Sequence, residues 1–537
     1  AAATRGFVLA IGSLPKKLLA PNEQVLDCVL ECLFRACHPD ARVGDEPDAE
    51  TRRNALISLA NVCSTVGISK SNENVTCSPM QGMSKKHITV VFDVLLRAMD
   101  DYGLDNRGDV GSWSRIAAIE GLEQLTYLAT KASDDIPSAF PLPPLYHTRD
   151  ALVPSLSSRL EYFEVDAQSR VTATLQSDEP LREDISKHCQ CKFFDEVICK
   201  RIFCALLKQL SEKMDTVRTK AGESIVRLLK SANPRIPFIP ERSNLMAALC
   251  LADHSPSLSC QFYIDNRGCE NEVNINWANA AKTFPLMMRA VNIEAYFGDI
   301  ISGIIISVGG LSESIVKNST SALLEWVRTL NEVGAVGRIG RLGGVLLKLF
   351  EKHHRQGRVI LPLLKTIDVL LSQRCLDCLL GNKDSGFPSS LVEHLKKEKR
   401  GCKDIKRLLS IADVLVGLFN TDNEDLVKNG VFPTFLELLS HRYPVIRRHC
   451  AEILFVKFQE GSDYFAEAVR ESVSNLLLET VWDADLEEAR LSRNQIADLL
   501  KIALPANVRD GMKQKVALKT KVDEFDCYSS LVKDAGR

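Results

Sequence analysis

Apolar residues recur at helical spacing through most of this chain. Val25, Val29, Leu30 and Leu33 share one face, as do Val90, Val91, Val94, Leu95 and Ala98. This is the i, i+3, i+4, i+7 pattern of amphipathic helices. Alternating apolar and polar runs bounded by Asn-Gly or Asp-Gly turns, the mark of hairpins, are nearly absent. The pattern predicts an all-α chain of helices joined by short turns. Within it one phrase repeats: an arginine, two residues, a small residue, then an apolar run. It reads Arg52-Arg53-Asn54-Ala55 before Leu56 and Leu59, and Arg115-Ile116-Ala117-Ala118 before Ile119 and Leu122. It recurs as Arg218-Thr219-Lys220-Ala221 before Ile225 and Leu228, and as Arg448-His449-Cys450-Ala451 before Ile453 and Leu454. A weaker copy runs from Lys317 through Ser321 to Leu324. The small residue lets two helices approach closely. The arginine falls near the turn between paired helices, where it can bond free carbonyls or a neighbouring acid. This phrase is the signature of a HEAT/armadillo-like helical-repeat solenoid, a fold that binds proteins more often than it catalyses.

The anchors are unevenly spaced, and their separations exceed the roughly 40–47 residues of one such unit. Degenerate repeats and long loop insertions are therefore expected between them. Residues 1–130 read as HEAT-like repeats. Residues 131–187 carry Pro137, Pro141, Pro143, Pro144 and Pro154 and read as a proline-rich loop insertion. Residues 188–232 read as one repeat, 233–276 as a second insertion, 277–504 as C-terminal repeats, and 505–537 as a frayed, mixed-charge tail. The chain opens at Ala1 without methionine, and Arg5 already leads into an apolar run. That opening predicts the C-terminal part of a longer protein.

Length and composition narrow the function classes. A chain of 537 residues exceeds one hydrophobic core. A formal net charge of −2 gives no broad basic face for nucleic acid or membrane. The basic run Lys396-Lys397-Glu398-Lys399-Arg400 reads as a solvated helix face. The 17 cysteines lie scattered through helical stretches, which suits a reducing, cytoplasmic setting. The apolar run Ile300–Leu311 is too short to cross a bilayer.

Catalytic signatures are missing: there is no Walker loop, G-x-S-x-G elbow, H-E-x-x-H helix or kinase motif. The glycines at 334, 337, 340, 343 and 344 read as a flexible turn rather than a phosphate cradle. Cys375 and Cys378 form a lone CxxC, and Cys189 and Cys191 sit beside His188, but a zinc site needs four ligands. Core packing is the expected role of the first pair. His353-His354 reads as a solvated helix end. No catalytic, cofactor or metal site is expected.

Several further phrases go beyond a generic repeat. Gly108-Asp109-Val110-Gly111-Ser112-Trp113 precedes one anchor, and Asn276-Trp277 is followed by Phe284-Pro285. Then come Ser307-Val308-Gly309-Gly310-Leu311, Pro362-Leu363-Leu364-Lys365-Thr366-Ile367-Asp368, His441-Arg442-Tyr443-Pro444-Val445-Ile446-Arg447, and Thr480-Val481-Trp482-Asp483-Ala484-Asp485. Asp109 is placed to cap the helix of Trp113 and Asp483 to cap the helix that follows it. Gly309-Gly310 can end a helix, and Pro444 fits a first turn. In identity and order these phrases resemble the tubulin-folding cofactor D family, over its C-terminal half, from Arg5 to about Leu500. The chain departs from that pattern in lacking the N-terminal half, in a longer, more proline-rich 131–187 insertion, and in the tail after Pro505.

The resemblance implies a chaperone and scaffold rather than an enzyme. It implies binding of β-tubulin and of the α/β-tubulin heterodimer, which the family assembles and takes apart in the cytoplasm, in association with the microtubule cytoskeleton. Tubulin-folding cofactors E and C and an Arf-like small GTPase are the implied partners, and the assembly contributes to activation of tubulin GTP hydrolysis. Trp113, Trp482 and Asp483 are the candidate partner-binding residues, with Trp113 and Trp482 weighed against roles in the core. The alternatives are another HEAT-repeat adaptor of the transport or phosphatase type, and a direct GTPase activator using a loop arginine.

Overall fold

The computed structural model describes residues 2–37, 48–69, 82–132, 193–251, 275–308, 313–382, 385–460 and 464–504. Among them the chain is helical, and two isolated β-bridges, Ile68 with Met83 and Asp105 with Gly108, are the only extended pairings. The expected all-α helical-repeat fold is what forms. The chain divides into two compact units, one of residues 1–206 and 220–246, the other of residues 207–219 and 247–537.

The first unit begins with α1 (Ala2–Gly12), the short α2 (Lys16–Leu19), α3 (Glu23–Cys37), α4 (Ala49–Val66), α5 (Lys85–Ala98) and α6 (Gly111–Ala132). In this unit α4 packs on α1, α3 and α6, and α5 on α6. Asp48 starts α4 by accepting from Thr51 N–H at 3.0 Å. Gly67, at φ 72°, ends it, a left-handed conformation that glycine takes without a Cβ penalty. The buried stripe of α3 is Leu26, Leu30, Leu33 and Cys37, so this face is rotated from the predicted one, with Val25 and Val29 at its margin. The α5 face forms largely as the periodicity predicts, with Val91, Val94, Leu95 and Ala98 buried and Phe92 added.

Next along the chain come α7 (Glu196–Leu210), α8 (Asp215–Lys230) and α9 (Arg242–Ala248). The second unit continues with α10 (Ala280–Ala290), α11 (Phe297–Val308), α12 (Glu313–Glu332), α13 (Val336–Lys352) and α14 (Gly357–Ser372). It ends with α15 (Asp377–Leu380), α16 (Phe387–Lys399), α17 (Ile405–Gly417), α18 (Glu424–Leu426), α19 (Phe432–Leu439), α20 (Pro444–Gln459), α21 (Glu467–Glu479) and α22 (Leu486–Leu499). Helices α11, α14, α17 and α20 pack in succession, and α13 packs on α16. Such succession is how repeats bury a shared core that none could bury alone.

The apolar run from Ile300 is the core helix α11. Ile300, Ile301, Ile304, Ile305 and Ile306 are fully buried, and only the narrow stripe of Gly298, Asp299 and Ser302 is partly exposed. Among the described residues no single helix is long and apolar enough to cross a membrane. Gly303 is a packing requirement, because a Cβ there would meet the Lys208 carbonyl oxygen at 2.3 Å. One turn on, the Ser307 hydroxyl donates to Ser211 O at 2.7 Å.

The glycine-rich segment is not the turn the sequence suggested. Gly334, at φ 67°, ends the preceding connection, and the other four glycines lie inside α13. Ile339, Leu342, Leu346 and Leu349 keep helical spacing through them and bury one face, which outweighs the glycine penalty. Gly343 packs against Leu379 and Phe387, whereas Gly337, Gly340 and Gly344 face open space.

Of the two predicted insertions, residues 131 and 132 end α6 and 133–192 lie outside the described residues, as does 252–274 of the second. The described part of that second segment is largely non-helical but contains α9, anchored by buried Leu245. Gly309-Gly310 and the tail from Pro505 also lie outside the described residues.

These glycines give opposite expectations. Gly340→Ala should raise unfolding stability by about 0.5–1 kcal/mol, since helix propensity improves and nothing is displaced. Gly303→Ala should lower it by about 1–3 kcal/mol, because backbone must move. Urea unfolding followed by circular dichroism measures both.

Candidate functional site

The repeated arginines occupy the turns between helices, buried and multiply bonded. Arg218 is the fourth residue of α8 and is 1% exposed. Its Nε donates to Trp277 O at 3.3 Å, and Nη2 donates to Ala278 O at 2.6 Å. Its Nη1 donates to Glu212 O at 3.0 Å and Lys213 O at 2.7 Å. One guanidinium thus bridges the turn before its own helix and the turn before α10. The ring of Phe284 lies 5.7 Å from it.

A second clamp repeats this arrangement near the C-terminal end, but around Arg447 rather than Arg448. Nε of Arg447 donates to Trp482 O at 2.8 Å and Nη2 to Ala484 O at 2.7 Å. Nη1 donates to His441 O at 2.8 Å and Arg442 O at 3.3 Å. In both clamps Nη1 reaches the carbonyls six and five residues back, Nε a tryptophan carbonyl, and Nη2 an alanine carbonyl. In both, the next helix follows with a capped start: Asn279 accepts from Ala281 N–H at 3.0 Å, and Asp485 from Glu487 N–H at 3.2 Å. The cap is therefore Asp485, not Asp483. The predicted arginine register slips by one because Arg447 and Arg448 both precede a small buried residue, Cys450 and Ala451. Arg448 itself projects outward, 57% exposed, and pairs with Asp483.

In the first unit two arginines converge on one acid. Arg52 Nε donates to Asp101 Oδ2 at 2.9 Å, and Arg115 Nη1 donates to the Asp101 carbonyl at 2.6 Å. Arg115 also reaches Asp109 Oδ2 at 3.2 Å, and its guanidinium lies 4.7 Å from the Tyr102 ring centre. Asp109 caps α6 as predicted, accepting from Ser112 N–H at 3.2 Å. A further buried arginine, Arg493, donates to Ser440 Oγ at 2.8 Å and Asn494 Oδ1 at 3.0 Å. Sequence reading missed it because bulky Ile496, not a small residue, stands three positions on. Lys317 and Ser321, the weaker copy, are both exposed and form no clamp.

The candidate partner residues separate. Trp482 is 6% exposed and its indole N–H donates to Leu477 O at 2.9 Å, so it anchors the last turn. Asp483 reaches solvent beside Arg448. Trp113, in the first turn of α6, is half-buried, with the guanidinium groups of Arg107 and Arg53 at 4.9 and 5.8 Å from its ring. Arg107 is held by Asp105 Oδ2 at 2.6 Å and by Glu50. Leu104 stands exposed nearby in sequence.

Other predicted features settle into packing. Cys375 is buried and Cys378 half-buried, and burial raises both thiols. The second cysteine pair and its neighbour, His188, Cys189 and Cys191, lie outside the described residues. Among the described residues no three metal-ligating side chains converge. His353 is buried, its Nδ1 2.8 Å from Gln356 Oε1, and only His354 fits a solvated helix end. The basic run is likewise no simple solvated face. Glu398 is buried, accepting from Arg355 N–H at 3.0 Å and Arg407 Nη1 at 3.3 Å, and Lys399 donates to Thr434 O at 3.2 Å.

Removing the clamp should discriminate the two adjacent arginines. Arg447→Ala should cost about 3–5 kcal/mol, since four carbonyls lose a charged donor. Arg448→Ala should stay within about 1 kcal/mol, the range of an exposed ion pair. Denaturant unfolding of the two variants measures the difference.

The same turn should be acid-sensitive. Burial, aided by the charges of Arg442, Lys399 and Arg447, pushes the His441 imidazole down to about 4. Its Nδ1 accepts from Tyr443 N–H at 3.3 Å. The unfolded chain, with an ordinary histidine value of about 6.5, binds the proton first. Stability from this group is therefore present above about pH 6.5 and lost as pH falls toward 4. His441→Gln should flatten that part of a melting-temperature profile against pH.

Comparison with known proteins finds similarity to a family model and to a relative. Residues 200–407 match the family model described as the C-terminal domain of tubulin folding cofactor D. Over 510 residues the chain is 23% identical to the tubulin-specific chaperone D of Dictyostelium discoideum. That alignment covers 90% of this chain and 30% of the relative's length.

Proposed function

We propose that the chain, which is similar to tubulin folding cofactor D over residues 200–407 and to a tubulin-specific chaperone over nine-tenths of its length, serves as a tubulin-folding scaffold in the cytoplasm. In this reading it binds β-tubulin and works on the α/β-tubulin heterodimer as part of a longer protein. Cofactors E and C and an Arf-like small GTPase complete the assembly, which activates tubulin GTP hydrolysis by holding partners in place. The observation that carries the reading is alignment of nine-tenths of the chain with a tubulin-specific chaperone. The use of the buried arginines supports a non-catalytic role, since Arg115, Arg218 and Arg447 are committed to carbonyls and acids of the fold.

Trp113 is the proposed client contact. A half-buried indole with two guanidinium groups over its ring offers an amphipathic, cation-rich anchor, the kind of residue that concentrates binding energy. Trp482 acts behind the surface, holding the turn that presents Asp483.

Size-exclusion chromatography of the 537-residue chain with tubulin, cofactor E and the Arf-like GTPase tests this reading. Co-elution with tubulin is expected. Trp113→Ala should weaken it at least about tenfold, or roughly 1.4 kcal/mol, without lowering the melting temperature appreciably. Elution of the chain alone under all combinations would contradict the reading.

A further inference from the structure

The last two described helices expose more apolar surface than their packing requires. Val473, Ser474 and Leu477 turn α21 inward, and Ala489, Ile496 and Ala497 do the same for α22. Yet Leu478 is 67%, Val481 60% and Leu491 65% exposed. An open groove of about 600 Å³ runs between the outer faces of the two helices. Asn475, Leu476 and Glu479 line it from α21, and Gln495, Asp498 and Leu499 from α22. Leu491 lies one turn before Gln495, and Glu488 one turn before Leu491, on the same helix face.

The surroundings are acidic. From Glu467 through Lys501 there are eight acidic and four basic side chains. Of the four, Arg493 is buried, Arg490 pairs with Glu487, and Arg470 donates to Phe458 O at 3.2 Å. Glu471, Glu479 and Glu488 have no ion-pair partner among the described residues. A groove that carries Leu476 and Leu499 among polar and acidic side chains, with exposed Leu491 on the same face of α22, complements one ligand shape: a helix with an apolar stripe edged by lysine or arginine.

We propose that the α21–α22 groove docks a basic amphipathic helix of a partner protein. The partner's apolar stripe rests on Leu476, Leu491 and Leu499, and its cations meet Glu479 and Glu488. The rim charges set orientation and encounter rate, and the leucines supply the burial that slows release. None of these side chains takes part in the arginine clamps, so the groove can be altered without loosening the fold.

The probe is a short fluorescein-labelled helical peptide of leucine and lysine, with leucines at i, i+3, i+4 and i+7, titrated with the full chain. A scrambled peptide and a leucine–glutamate peptide serve as controls. Saturable binding of the first peptide alone is expected, weakening as salt is added. Leu491→Glu and Glu479→Lys should each weaken it about tenfold or more with unchanged melting. Replacing the peptide lysine nearest Glu479 by glutamate should restore affinity to the Glu479→Lys variant. Equal binding of the scrambled peptide, or indifference to both substitutions, would overturn the proposal. Concentration-dependent self-association abolished by Leu491→Glu, without peptide binding, would overturn it in favour of a second copy. Binding seen only after removal of residues 505–537 would overturn it in favour of this chain's own C-terminal residues.

Discussion

Every inter-helix turn in a helical-repeat chain leaves carbonyl groups with no helical donor, and this fold meets that constraint with buried guanidinium groups. A guanidinium is a planar fork of five N–H donors, always charged, able to serve several carbonyls at once. Arg218 and Arg447 each serve four, shared between two turns separated in sequence by further helices. The burden of burying a charge is met because the carbonyl dipoles all point their negative ends at it. The tryptophan-bearing turns and the capped starts of α10 and α22 accompany this geometry in both clamps. A lysine, with three donors on a flexible stem, could not span the same two turns.

Much of this was legible in the chain itself. Arg52, Arg115 and Arg218, each three positions before a buried alanine, were readable because one side chain must reach a turn while the next small residue admits a helix. The slip at Arg447-Arg448 arose because both members of the pair satisfy that spacing. Counting from the helix start resolves it: Arg52, Arg218 and Arg447 are each the fourth residue of their helix, and Pro444 marks the start. The glycines of α13 misled because their propensity favours a turn, whereas Ile339, Leu342 and Leu346 kept a buried face that propensity does not measure. His353 and Glu398 were not legible as buried groups, since their burial depends on partners distant in sequence. Nor was Trp482 separable from Trp113 by sequence, because core and contact tryptophans look alike until their neighbours are placed.

With the buried polar groups spent on architecture, the recognition proposed for this chain falls to the surface. The first unit offers Trp113 between two arginines. The second offers a groove of leucine, polar and acidic side chains on α21 and α22. These patches differ in charge and shape, and so suit different partners. The proposed scaffold role would use such separate, chemically distinct patches.

The central claim is that one guanidinium couples two neighbouring turns. Hydrogen exchange on the full chain carrying Arg447→Lys, which keeps the charge but not the fork, tests it most directly. The account predicts faster exchange both in the turn around His441–Tyr443 and in the turn around Trp482–Asp485, with α4 and α6 unchanged. Exchange that rises in only one of the two turns, or in neither, would contradict it.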